Sequence, residues 1–125
     1  MSESAASLLE GLTVLVVEDE TIVSFMIEDM LAELGAAEVR HAGGVAAALR
    51  LIEARPPDAA VLDVNLGGEP VHAVAERLAA AGVPFLFATG YGRQGVPPPW
   101  ADRPVIQKPF PTEALAAAMR KVLGR

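Results

Sequence analysis

Three acidic positions, a threonine and a lysine carry the chemistry this sequence offers. They are Glu18 and Asp19, then Asp63, Thr89 and Lys108. Three carboxylates brought together repel one another unless a cation joins them. Oxygen ligands with no His or Cys nearby select Mg²⁺ or a similar hard ion such as Mn²⁺. A lysine opposite supplies a point charge for a phosphate oxygen. A threonine hydroxyl can hydrogen-bond another. Phosphoryl transfer needs mainly this positioning and charge neutralisation around an in-line attack. A carboxylate such as Asp63 can itself be the nucleophile and become an aspartyl phosphate. Taken singly, each residue has an ordinary alternative. Acidic residues after a strand serve as turn residues or helix caps, Thr89 as a strand end and Lys108 as an exposed lysine.

The elements that must hold these residues are legible as alternating apolar runs and helical patterns. Residues 12–17 (LTVLVV) are apolar on both faces, as a buried parallel strand requires. Val23, Ile27, Met30, Leu31 and Leu34 then recur at helical spacing, with Gly35 as a stop. Residues 37–41 read as a weak strand suited to a sheet edge. Val45, Leu49 and Ile52 mark a second helix, ended by Arg55-Pro56-Pro57. Residues 59–62 are a third, buried strand. Val71, Val74, Ala75 and Leu78 mark a third helix that Gly82 ends. Residues 84–88 and 104–107 are the fourth and fifth strands. Leu115, Ala118, Met119 and Val122 mark the last helix. Between Gly90 and Arg103 three consecutive prolines, Pro97 to Pro99, forbid a long helix. Alternation of this kind gives a parallel sheet with helices on both faces, and ligands bind beyond the carboxyl ends of its strands. Glu18, Asp19, Asp63, Thr89 and Lys108 each follow or end a strand, so all fall at that end.

The 125 residues suit one domain with a real core, and at 52% hydrophobic they should fold. Residues 1–10 read as a flexible lead-in and 11–125 as the domain. A net charge of −6 without a Lys/Arg cluster argues against direct nucleic-acid binding. The chain has no cysteine, which removes disulfides and Cys chemistry and suits the cytoplasm. There is no apolar run of bilayer-spanning length and no basic-then-apolar opening, so no membrane role is expected. His41 and His72 read as surface residues. Trp100, among prolines, either packs over the loop or meets a partner.

Val16-Val17-Glu18-Asp19-Glu20, Val61-Leu62-Asp63-Val64-Asn65, Ala88-Thr89-Gly90 and Gln107-Lys108-Pro109-Phe110 resemble, in order, the four motifs of response-regulator receiver domains. The resemblance spans about residues 12–123. It implies a flavodoxin-like, doubly wound, five-stranded parallel sheet of order 2-1-3-4-5. It also implies that Asp63 is the phosphoacceptor and that Thr89 and Lys108 grip the phosphoryl group. Asp19 would bind Mg²⁺ directly, Glu18 largely through water, Asp63 as a third ligand and Asn65 through its backbone carbonyl. A cis Lys108-Pro109 bond is implied as well. Glu20 matches no ligand position and fits a solvated helix start, where negative charge is favoured. Phe87-Ala88-Thr89-Gly90-Tyr91 resembles the signature of the atypical FATGUY receivers. Members tend to have a degraded fourth helix and no aromatic switch residue on the fifth strand. Here Val105 stands at that aromatic position, and the resemblance points to Tyr91 and residues 90–103 as the moving part.

These expectations give a phosphorylation switch fed by a histidine kinase or histidine phosphotransfer protein and acting on an unknown downstream protein, or a phosphate shuttle. No output domain fits within the chain. Two rivals stand beside this reading. A pseudo-receiver would keep the fold as a binding module without phosphorylation. A haloacid-dehalogenase-like phosphatase also uses an Asp nucleophile, but wants a second acid two residues later to protonate the leaving group, where this chain has Asn65. A flavin site is weaker still, since no Ser/Thr/Gly-rich phosphate loop follows the first strand.

Overall fold

The computed structural model describes residues 6–90, 96 and 98–125. The main sheet consists of β1 (Thr13–Val17), β2 (Glu38–Ala42), β3 (Ala59–Asp63), β6 (Phe85–Thr89) and β7 (Val105–Gln107). Its order is β2-β1-β3-β6-β7 and every pairing is parallel. Counting only these strands in chain order, that is 2-1-3-4-5. A two-residue hairpin, β4 (Asn65–Leu66) with antiparallel β5 (Glu69–Pro70), stands apart from the sheet.

Burial explains why these segments are strands. All five residues of β3 and of β6 are buried, because helices cover both faces. The strand period of two sends alternate residues into two separate cores. Leu15, Val17, Ala60, Leu62, Phe85 and Phe87 enter one, with α2 (Val45–Ala54) and α3 (His72–Ala80). Val14, Val16, Ala59, Val61, Leu86 and Ala88 enter the other, with α1 (Thr21–Glu33) and α4 (Thr112–Leu123). β2 lies at the edge and is mostly not buried, as its charged sequence requires. Its Arg40 reaches over to donate to the carbonyls of Leu51 and Arg55 at 3.2 and 2.6 Å, satisfying the end of α2. Between β6 and β7 the described residues hold only a single 3₁₀ turn, Pro98–Trp100, so the fourth crossover lacks a regular helix there.

The lead-in expected over residues 1–10 must be shortened. Leu8 and Leu9 are buried, at 6% and 0% exposure. Leu9 N–H donates to Leu34 O at 2.9 Å, and Arg125 Nη1 donates to Leu8 O at 2.6 Å. Gly35, at φ +96°, passes so close that a Cβ there would lie 2.5 Å from Ala6 O. Two leucines and backbone pairing therefore tie this segment to the end of α1. Trp100 is also placed: it is 8% exposed, edge-on to Phe85 and tilted against His72 at ring distances of 6.5 and 6.3 Å. Arg103 lies over the Phe85 ring at 4.2 Å.

Candidate functional site

Strand register brings the polar residues together. Val17 is opposite Leu62, so Glu18 and Asp63, each one step further on, stand level. Asp63 is opposite Ala88, and Thr89 is opposite Gln107, which puts Lys108 one step beyond. Alternation then sorts the faces. Glu18, Asp63 and Lys108 continue the rows that enter the α1–α4 core, whereas Thr89 continues the Phe85–Phe87 row. Lys108 N–H donates to Thr89 O at 2.9 Å, extending the ladder into the site, and the Lys108–Pro109 peptide is cis.

Glu18 is 1% exposed, Thr89 1% and Asp63 9%, while Asp19 is exposed at the mouth. One oxygen from each of Glu18, Asp19 and Asp63 falls within 4.8 Å of the others. Lys108 Nζ lies 2.9 Å from Glu18 Oε1 and 3.5 Å from Asp63 Oδ2. The other Glu18 oxygen accepts from Glu20 N–H at 3.2 Å. Burial first, and the adjacent Glu18 charge second, push Asp63 up to about 6, against the pull of Lys108. For Lys108, burial pulls the ammonium down, but hydrogen bonds and charge from Glu18 and Asp63 outweigh it and leave it above the ordinary lysine value. Two buried acids, with a third exposed at the mouth, thus face a single base and are short of positive charge.

Around this group the chain forms an open groove of about 620 Å³, walled by α1, the hairpin and Pro109-Phe110. The hairpin was not legible in sequence beyond its Gly67-Gly68 turn signal. Both glycines have positive φ, and a Cβ on Gly67 would meet Asp19 Oδ2 at 3.4 Å. Asn65 begins it: its N–H points to Asp63 Oδ1 at 3.4 Å and its side chain accepts from Gly68 N–H at 2.9 Å. Glu20 is the exposed N-cap of α1; its side chain makes no capping hydrogen bond and borders the groove. His41, exposed as its sequence context suggests, nevertheless has Nε2 2.9 Å from Glu18 O. On α1, Ile22, Phe25 and Met26 are exposed, at 75%, 59% and 48%. Tyr91, with residues 92–95 and 97, lies outside the described residues.

The donor set fits a small hard cation. An octahedral Mg²⁺ shell spans at most about 4.2 Å between oxygens, close to the spacing of this cluster. The charge deficit at Asp63 is what such an ion would relieve.

Residues 14–120 match the family model described as the response regulator receiver domain. The solution structure of SdrG from Sphingomonas melonis Fr1 is similar at 46% identity and a TM-score of 0.80, covering 89% of this chain and 95% of that one. The BeF3-activated conformation of SdrG from Pseudomonas melonis Fr1 is similar at 44% and 0.77, with the same coverage. The response regulator PhyR from Brucella abortus is similar at 26% and 0.80; it takes in 99% of this chain, which spans 53% of that one. No curated protein sequence matches the chain.

Proposed function

The chain belongs to the response regulator receiver domain family, and we propose that it is switched by a phosphoryl group taken onto Asp63 from a histidine kinase or histidine phosphotransfer protein. One observation carries this reading: Asp63 ends a buried strand between two further carboxylates and the ammonium of Lys108. A receiver is a signalling domain rather than a conventional enzyme, so the reaction is its own modification.

In the transfer, an Asp63 oxygen attacks phosphorus in line. The phosphorus–nitrogen bond of a phosphohistidine breaks and its electron pair stays on the imidazole. Glu18, Asp19, Asp63 and the Asn65 carbonyl would hold Mg²⁺ or Mn²⁺, which when bound supplies positive charge to the phosphoryl oxygens. Lys108 neutralises a second phosphoryl oxygen, and the Thr89 hydroxyl donates to a third. Burial of Asp63 removes competing water from the nucleophile. The attack needs Asp63 as the carboxylate, and a cation held beside it would favour that charged form.

Ile22, Phe25 and Met26 are exposed on α1, of which Met26 lines the groove, and exposed apolar patches of this kind suit protein partners. In this reading the phosphodonor would dock on the α1 side. For output, Val105 carries no ring on β7, so the signal is assigned to the β6–β7 connection and to Tyr91. A downstream protein would read that surface in the cytoplasm. Among the described residues no helix is long and apolar enough to cross a membrane.

Incubation with acetyl phosphate and Mg²⁺, followed by intact mass, should add one phosphoryl group. Asp63→Asn or EDTA should abolish it. Labelling that survives both would overturn the assignment. No labelling under any donor would favour the non-phosphorylated binding module, and steady turnover of a phosphate monoester would favour the phosphatase.

A further inference from the structure

Of the three clustered carboxylates, Asp19 is the one that its own contacts do not fix. Glu18 and Asp63 are buried, at 1% and 9% exposure. Asp19 is exposed, and among the described residues its carboxylate takes part in no hydrogen bond or ion pair. Repulsion from the two buried acids should turn such a side chain out to water. Even so, it keeps one oxygen within 4.8 Å of theirs. What lies beside it is backbone: a Cβ on Gly67 would meet Asp19 Oδ2 at 3.4 Å, so the turn of the β4–β5 hairpin rests against the carboxylate.

The hairpin cannot hold that place by its ladder alone. Each strand has 2 residues, with Asn65 facing Pro70 and Leu66 facing Glu69, and a proline donates no hydrogen bond. Two side chains make up for this. Leu66, at 3% exposure, anchors the first strand in the α2–α3 core. Asn65 Oδ1 accepts from Gly68 N–H at 2.9 Å and closes the turn from the exposed side.

We propose that Asn65 is a positioning residue for the cation site: its side chain locks the turn, the locked turn keeps Gly67 against Asp19, and Asp19 is thereby held facing Glu18 and Asp63. This rests on reading the cluster as a divalent-cation site, and it gives the Asn65 side chain a task separate from that of its backbone carbonyl. An unlocked hairpin leaves Asp19 free to sample the staggered wells of its χ1 torsion, with one of about three facing the cluster. The loss in cation affinity is then about threefold.

The test compares wild type with Asn65→Ala and with Asn65→Ser, whose hydroxyl can accept from a following backbone N–H as serine does at helix starts and turns. Asn65 is exposed, so neither change opens the core. In the metal-free protein, NMR couplings across the Asp19 Cα–Cβ bond should report a single rotamer in wild type, averaging in Asn65→Ala, and a return towards the single rotamer in Asn65→Ser. Calorimetric titration should give a Mg²⁺ Kd about threefold weaker in Asn65→Ala and recovered in Asn65→Ser. Identical Asp19 couplings in wild type and Asn65→Ala, or equal Mg²⁺ affinities, overturn the proposal and leave the metal site standing. Absence of Mg²⁺ binding to wild type overturns the cation reading, and the proposal with it.

Discussion

Asp63 and Glu18 stand level at the ends of adjacent strands, with carboxylate oxygens within 4.8 Å of each other. Burial and this like charge push Asp63 up to about 6. The folded protein therefore holds a proton on Asp63 more tightly than the unfolded chain does. Between the two values, rising pH costs stability, and above pH 6 the whole cost is present. Asp63→Asn should therefore stabilise the metal-free protein at pH 7 by about 1–3 kcal/mol. The advantage should shrink as pH falls through 6 and vanish near pH 4. Urea titrations of both proteins with EDTA across that range check it. An advantage that does not change with pH would mean that the Asp63 charge is not its source.

Mg²⁺ should raise the melting temperature, because it binds the folded site and not the unfolded chain. At tenfold its Kd the gain is about 1.4 kcal/mol. Asp19→Asn removes a charge from the mouth of the cluster without emptying a core position, since Asp19 is exposed. That variant should melt as the metal-free wild type does and should lose most of the Mg²⁺ response. Melting curves with EDTA and with millimolar-range Mg²⁺ give both comparisons. A full response in Asp19→Asn would remove Asp19 from the ligand set.

Much of this was legible in the sequence, and the reasons are specific. β3 and β6 are buried on both faces, so their sequences are unbroken apolar runs. The register that follows puts Glu18, Asp63 and Lys108 in one place. The β4–β5 hairpin was not legible, because two-residue strands are too short to show a period of two. Trp100 could not be placed because its partners Phe85 and His72 lie far back in the chain. The core face of α1 was legible, since Val23, Ile27, Met30, Leu31 and Leu34 recur at helical spacing and pack into the core, whereas Ile22, Phe25 and Met26 lie off that stripe and are exposed.

That exposed face yields a separation of partner from chemistry. Phe25 is 59% exposed and does not line the groove at Asp63. Phe25→Ala should slow phosphotransfer from a histidine kinase by about tenfold or more, a hot-spot loss of ~1.4 kcal/mol or greater. Labelling by acetyl phosphate should stay at the wild-type rate. Radiolabel transfer from the purified kinase, run beside the small-donor reaction, reads both. Equal slowing of the two reactions would mean that Phe25 acts on the site and not on the partner.

The first residues of the fold lead to the last prediction. Leu9 is fully buried in the core shared with α1 and α4, and Leu8 is nearly so. A Leu→Ala change at such a site removes transfer energy and leaves a cavity, at a cost of about 2–5 kcal/mol. Leu9→Ala should therefore destabilise by that amount, far more than a residue in a loose lead-in would. Arg125 holds the same segment from the far end of the chain by one hydrogen bond to Leu8 O. Arg125→Ala should cost about 0.5–1.5 kcal/mol. Gly35→Ala offers an independent check, because the added Cβ would lie 2.5 Å from Ala6 O and would have to adopt φ +96°. Relief of that clash requires the segment to lift away, so Gly35→Ala should make residues 8 and 9 exchange their amide hydrogens faster. Denaturant titration and hydrogen exchange measure the two effects. If Leu9→Ala costs less than about 0.5 kcal/mol, the size of an ordinary surface change, the segment is not part of the core.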